Sequence, residues 1–269
     1  MLLLLLLAAS ALAPSDALAP SPIGSMRPDA KPIAPAAFSA LPLLPDGSAL
    51  RIEASQKAPA LLGAGVGERL WPACNLLCKW LRRQDLQETT VLDLGCGTGA
   101  AGLFSAALGA KEVWLTDSFP TTALWDLAES NAAANEHLLR GSVSVERFEW
   151  GAPVSKLFDR TRAADGALRD DCRNGPFSGR LLVIGSDVTY SRNAHAALAE
   201  TLFDALKTHH ARVVLAHEER KMPGGEDEAL SHFVKAARNA GLAVAVFERD
   251  ERMGISLLDV KLEDPRQPP

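Results

Sequence analysis

What this chain lacks narrows it first. Aromatic residues make up only 6% of its 269 positions, and there is a single tyrosine, Tyr190. The four cysteines (Cys74, Cys78, Cys96 and Cys172) form no C-x-x-C pair, and the histidines are not spaced to complete a zinc site. No metal is expected, and nothing demands an oxidising compartment. Cys74 and Cys78 sit four apart on one helix face, where core packing is the expected role. An excess of positive charge is also missing. The net charge is −5 and the pI near 5.7, which disfavours a nucleic-acid-binding domain of the usual basic kind. No internal repeat is visible. The apolar run MLLLLLLAASALA, residues 1–13, is too short to span a bilayer but has the length of a signal-peptide core. It has an A-x-A at Ala9–Ala11 and no basic residues ahead of it.

Residues 14–48 hold eight of the 17 prolines amid alanine and serine, a composition that cannot build a core. Residues 1–48 therefore read as targeting sequence plus disordered linker. Signal-like core followed by an Ala/Ser/Pro stretch resembles the two-part plastid presequences of algae with complex plastids. Import into an organelle is one expectation; a cytoplasmic protein is the other, if Met26 is the true initiator. Residues 49–269 suffice for one α/β domain with a full core and no membrane span.

From residue 71 the chain alternates helix-period and strand-like segments. WPACNLLCKWL places Ala73, Leu76, Leu77, Trp80 and Leu81 on one helical face. Strands are expected at TTVLDLG, EVWLTD, SVSVERFEW, RLLVIGSD, ARVVLAHEE, LAVAVFE and ISLLDVKL. Helices are expected over 99–109, 120–135, 193–209 and 226–240, with Pro120 suited to a first turn and Gly241 as a stop. Residues 151–179 read as a long loop. Repeated strand–helix alternation implies a doubly wound, mostly parallel sheet. The last two strands, joined by a tight turn around Met253-Gly254, must pair antiparallel.

The informative stretch is VLDLGCGTGAAG, residues 91–102. Gly97-Thr98-Gly99-Ala100-Ala101-Gly102 fits the G-x-G-x-x-G dinucleotide fingerprint, and Asp117 stands 20 residues after Gly97, at the spacing of a ribose-binding acid. Neither feature separates a dinucleotide from other adenosine cofactors. Asp93 helps, because a carboxylate beside a pyrophosphate is unfavourable whereas a cationic ligand welcomes it. Four glycines in eight residues cost backbone entropy that a ligand-free loop would not recover. Asp93, Gly95, Gly97 and Gly99 match every fixed position of the D-x-G-x-G-x-G motif, and here the chain resembles the seven-strand S-adenosylmethionine-dependent methyltransferases. That resemblance implies an α/β fold: a single doubly wound, seven-stranded Rossmann-like sheet, mostly parallel with an antiparallel last strand.

Three further segments resemble the non-SET protein-lysine methyltransferases: GERLWPACNLLCKWL (67–81), FEWG (148–151) and IGSDVTYS (184–191), the last carrying a D-x-x-Y as Asp187-Val188-Thr189-Tyr190. LAHEER (215–220) also looks like that branch's fifth strand end. The resemblance covers residues 60–262. It implies that Trp71 and Trp150 contact S-adenosylmethionine, with Trp150 beside the adenine. It implies that Gly95, Cys96 and Gly97 line the methionine part, that Asp117 binds the ribose, and that Ser186 lies on the adenosine side. Asp187 and Tyr190 are implied at the acceptor mouth, as catalytic residues that hold and orient a lysine amine. The long 151–179 loop and the presequence depart from the branch.

The expected partner is thus a lysine-containing protein, with no nucleic acid and a monomeric enzyme. An Asn/Asp-Pro-Pro-aromatic motif, expected of amino-group nucleic-acid methyltransferases, is absent: Asp187 is followed by Val-Thr-Tyr. Methylation of a protein histidine or a small molecule stays open, as does a non-catalytic cofactor-binding interaction module.

Overall fold

A computed structural model describes residues 41–55, 67–157, 180–220 and 227–264. The expected presequence, apart from 41–48, and most of the expected 151–179 loop lie outside the described residues.

Seven strands form one sheet: β1 (Thr89–Leu94), β2 (Glu112–Asp117), β3 (Ser142–Arg147), β4 (Arg180–Ser186), β5 (Arg212–Glu218), β6 (Leu242–Asp250) and β7 (Ile255–Leu262). Their order is β3-β2-β1-β4-β5-β7-β6. The first five run parallel, and β7 lies antiparallel between β5 and β6. Two central strands explain why the sequence shows continuous apolar runs there. All of β1 is buried, as are residues 181–185 of β4, because helices cover both faces of a parallel sheet.

One face carries α1 (Pro72–Leu81), α2 (Ala100–Ala107) and α3 (Thr122–Asn135). The apolar face expected for α1 is the one it buries: Ala73, Leu76, Leu77, Trp80 and Leu81 all lie in the core. Cys74 and Cys78 share it, with sulfurs 3.9 Å apart. The opposite face carries α4 (His195–His209) and α5 (Glu228–Asn239), which bury Leu198, Leu202, Ala205, Phe233 and Ala237. Asp227 starts α5 by accepting from the amides of Ala229 and Leu230, a side-chain N-cap.

Three local expectations are adjusted. Strand β3 stops at Arg147, not Trp150. Val143 and Val145 pack on the α1–α2 side while Phe148 turns into the core of the other face. The region read as loop from residue 151 keeps packing, because Val154 and Leu157 are apolar and bury beside α4. Ahead of the expected boundary at residue 49, Leu44 is buried in the core.

A further tie joins the chain's early segment to the sheet. Asn131 and Asn135, one turn apart on α3 and fully buried, receive an extended segment. Asn135 accepts from Arg51 N and donates to Arg51 O at 2.7 and 2.8 Å. Asn131 does the same for Glu53 at 2.7 and 3.0 Å, and also donates to Thr98 O at 2.9 Å. Each amide imitates a strand edge, so buried backbone groups stay satisfied without a strand.

The sheet order reverses between β1 and β4, and in such sheets a crevice opens beyond the carboxyl ends of the strands at that switch point. The turn after β1, the turn after β2 and the D-x-x-Y loop after β4 meet there.

Candidate functional site

A cleft of about 380 Å³ occupies the switch point, within the size range of small-molecule sites. Trp71, Asp93, Gly95, Cys96, Gly97, Asp117, Trp150, Ser186, Asp187 and Tyr190 all line it. Of the expected site residues only Gly99 stands outside the lining. It opens α2 at φ +80°, with Leu115 packed where a Cβ would sit. It is the residue from which the helix starts.

The glycine turn is shaped by close approach. Gly97 has φ +53°, and a Cβ there would lie 2.6 Å from Gly67 O; a side chain would both strain the backbone and collide with it. Gly97 N donates to Asp117 Oδ2 at 3.1 Å, so the acid at the end of β2 is anchored to the glycine turn and faces the cleft. Trp150 closes the wall beside Gly95.

Asp93 is the least comfortable group in the cleft. It is 1% exposed, and Oδ2 accepts from Gly102 N at 2.9 Å. Its Oδ1 is buried with no hydrogen-bond partner among the described residues. Burial pushes its carboxyl up to about 7; the Gly102 amide opposes this and nearby Asp117 adds to it. The Ser186 hydroxyl is also buried without a partner there. Two orphaned polar atoms in one cleft are groups that a ligand would satisfy. Burial, with Asp93 and Asp117 behind it, holds the Cys96 thiol well above its usual range, so Cys96 is a neutral wall rather than a nucleophile.

The D-x-x-Y loop divides its residues by side. Thr189 buries into the core, whereas Asp187, Val188 and Tyr190 border the cleft. The loop is pinned from below. The Asp187 amide donates to Ala216 O at 2.7 Å, with Asp187 at φ +58°. His195 Nε2 donates to Thr189 O at 2.9 Å, and His195 Nδ1 then accepts from His232 Nδ1 at 2.9 Å. Thr189 Oγ1 lies 2.7 Å from His217 Nδ1, and His217 Nε2 lies 2.7 Å from Asp227 Oδ2. A carboxylate only accepts, so His217 Nε2 carries the proton that Asp227 accepts, while Nδ1 pairs with the Thr189 hydroxyl. This Thr–His–Asp chain is buried and positions the loop.

Arg220 was not singled out by sequence reasoning, although LAHEER was. It pairs with both Asp187 oxygens, Nη1 to Oδ1 at 2.9 Å and Nη2 to Oδ2 at 2.5 Å. Asn131, which ties Glu53 to the glycine turn, was missed as well; a buried asparagine has no periodicity signal. Tyr190 is 45% exposed at the mouth. Its phenol is raised first by burial, then by Asp117 and Asp187, with Arg220 opposing, so it stays protonated near neutral pH.

With the geometry in view, the comparisons with known proteins decide the family. A model of the lysine methyltransferase family matches residues 49–240. The chain belongs to that family. The match takes in the glycine turn, Asp117, Trp150, the D-x-x-Y loop and Arg220. Among relatives, the protein N-lysine methyltransferase METTL21A of Danio rerio is 30% identical over 143 residues, 51% of this chain and 55% of that protein. The protein N-terminal and lysine N-methyltransferase efm7 of Emericella nidulans is 26% identical over 195 residues, 68% of this chain and 69% of that protein. The chain thus spans little more than half the length of the METTL21A relative. Among solved structures, the magnesium protoporphyrin IX methyltransferase of Synechocystis PCC 6803 with bound SAH gives a TM-score of 0.47 at 16% identity, over 78% of this chain and 90% of that one.

Proposed function

We propose that the cleft binds S-adenosylmethionine and that the chain transfers its methyl group to a lysine side-chain amine of a protein. The observation that carries the reading is the meeting, in one cleft, of the orphaned Asp93 carboxylate with the D-x-x-Y loop, in a chain of the lysine methyltransferase family. A dinucleotide would bring phosphate to the glycine turn, where buried Asp93 would repel it. A cationic amino-acid group suits that oxygen instead.

In this reading Asp93, Gly95, Cys96 and Gly97 hold the methionine part, Asp117 the ribose, and Trp150 and Ser186 the adenosine side, with Trp71 closing the wall. When bound, the cofactor supplies a methyl on a sulfonium, which passes to a neutral amine nitrogen as the C–S bond breaks and its electrons stay on sulfur. The chain's task is alignment. A free lysine amine has a pKa near ~10.4, so it must shed its proton to water before it reacts, and desolvation beside Trp71, Val188 and Tyr190 favours the neutral form. Asp187 and Tyr190 border the entrance and orient the amine.

Calorimetric titration with S-adenosylhomocysteine and, separately, NAD tests the cofactor. The expected result is binding of S-adenosylhomocysteine alone; binding of NAD alone would overturn the reading from Asp93 onward. The name of the efm7 relative covers both lysine and N-terminal amines, so mapping the labelled nitrogen on a methylated protein distinguishes these two acceptors.

A further inference from the structure

The D-x-x-Y carboxylate does not face the cleft as an open anion. Arg220 grips both oxygens of Asp187, which is 4% exposed. The same guanidinium carbon lies 5.8 Å from the ring centroids of both Trp71 and Tyr190. A carboxylate beside aromatic rings is a set that recognises a cation. Here the chain supplies the cation itself. An incoming lysine ammonium therefore meets a neutral pair.

We infer that Arg220 is a positioning residue that decides the protonation state of the acceptor: by neutralising Asp187, it denies the bound amine an unpaired carboxylate that would hold it as ammonium. The inference rests on the lysine-transfer reading above. An ammonium has no lone pair to give, so an open Asp187 would bind the acceptor more tightly in the form that cannot react.

The surrounding charges leave Arg220 in control of this balance. From β5, Glu218 is raised first by burial and then by Asp187, with Arg220 opposing. From the start of α5, Asp227 is occupied by His217 and by the Arg220 amide at 3.1 Å. Asp117 acts on Tyr190 from β2, and Arg69 lies over the Trp71 ring, 5.1 Å from its centroid. Among the described residues, Arg220 opposes Asp187 at Glu218, and Asp117 and Asp187 at Tyr190; removing it leaves those carboxylates without that opposition.

Steady-state kinetics of the full chain on the protein it labels, across pH, test this in Arg220→Gln, Arg220→Lys and Asp187→Asn. The profile of kcat reports the bound complex and that of kcat/KM the free species. For Arg220→Gln the acid limb of kcat moves up by about one pH unit. Near neutral pH kcat then falls about tenfold and KM falls with it, so kcat/KM changes little. Arg220→Lys keeps the native limb, and Asp187→Asn, which leaves the guanidinium unpaired, moves it down. If Arg220→Gln does not fold, the unmoved limb of Arg220→Lys set against the lowered limb of Asp187→Asn still decides. A role in folding alone lowers kcat/KM with every limb unmoved, and that result would overturn the inference.

A second readout needs no turnover: n-butylamine, a lysine side chain without its backbone, is titrated by ligand-observed NMR at pH 7 into chain saturated with S-adenosylhomocysteine. Arg220→Gln binds it at least about threefold tighter than native; equal or weaker binding overturns the inference. A native chain that transfers nothing to lysine sinks the proposed function, and the butylamine comparison then still judges Arg220.

Discussion

Asp93 carries more of the account than any other single residue. Its carboxyl is buried, with one oxygen satisfied by the Gly102 amide and the other without a partner among the described residues. Burial raises it from 3.8 to about 7. A raised carboxyl means that the folded chain holds this proton more tightly than the unfolded chain. Stability is therefore lost as pH climbs from about 4 to about 7. Asp93→Asn removes that loss and can still accept from Gly102. By calorimetry without ligand, the variant melts above the native chain at pH 8, and the two converge below pH 4. Its affinity for S-adenosylmethionine falls at least about tenfold, the scale of one lost charge-assisted contact. Equal melting at pH 8 would mean that Asp93 is not the buried acid described. Asp93 and Asp117 were legible in the sequence because their spacing to the glycines is local and fixed by strand length. Arg220 was not, since its meaning lies in a partner 33 positions away that only the parallel β4–β5 pairing brings alongside.

At the scale of elements, the cleft depends on turns that are tied down from elsewhere. The D-x-x-Y loop rests on histidines from β5 and α4, and the glycine turn rests on Asn131 of α3. Asn131→Leu removes three hydrogen bonds at once and leaves Thr98 O buried without its partner. A cost of about 2–3 kcal/mol in denaturant unfolding is expected from an unsatisfied buried carbonyl and the released strap. Amide exchange at Glu53 accelerates at the same time, while exchange in β5 does not. Uniform acceleration would show a general loss of stability rather than release of the strap. Strand and helix existence was readable from periodicity, as the buried face of α1 shows. The Asn131–Asn135 clip was hidden, because polar residues at helical spacing read as a solvated face. The end of β3 was misplaced because the large aromatics Phe148 and Trp150 follow directly and read as more strand, although they fall on the opposite parity to Val143 and Val145 and pairing stops at Arg147.

For the molecule as a whole, one arrangement turns a common fold into a specific proposal. The reversal between β1 and β4 sets a cofactor-sized cleft beside a loop that ends in Asp187 and Tyr190. The topology was legible because strands alternate with helices and the last two strands are joined by a tight turn. The depth of the cleft and the charge at its mouth depend on packing between distant segments, which no spacing records. No helix among the described residues is long and apolar enough to cross a membrane, and no group of three or more histidine, cysteine or acidic residues among them is placed to hold a metal ion. Lysine transfer is checked by incubating the chain with labelled S-adenosylmethionine and the proteins of a cell extract, and mapping the labelled residue by mass spectrometry. Label is expected on a lysine side-chain nitrogen, strong with the native chain and diminished with Asp93→Asn. Label on another residue type, or transfer undiminished by Asp93→Asn, would contradict the proposed function.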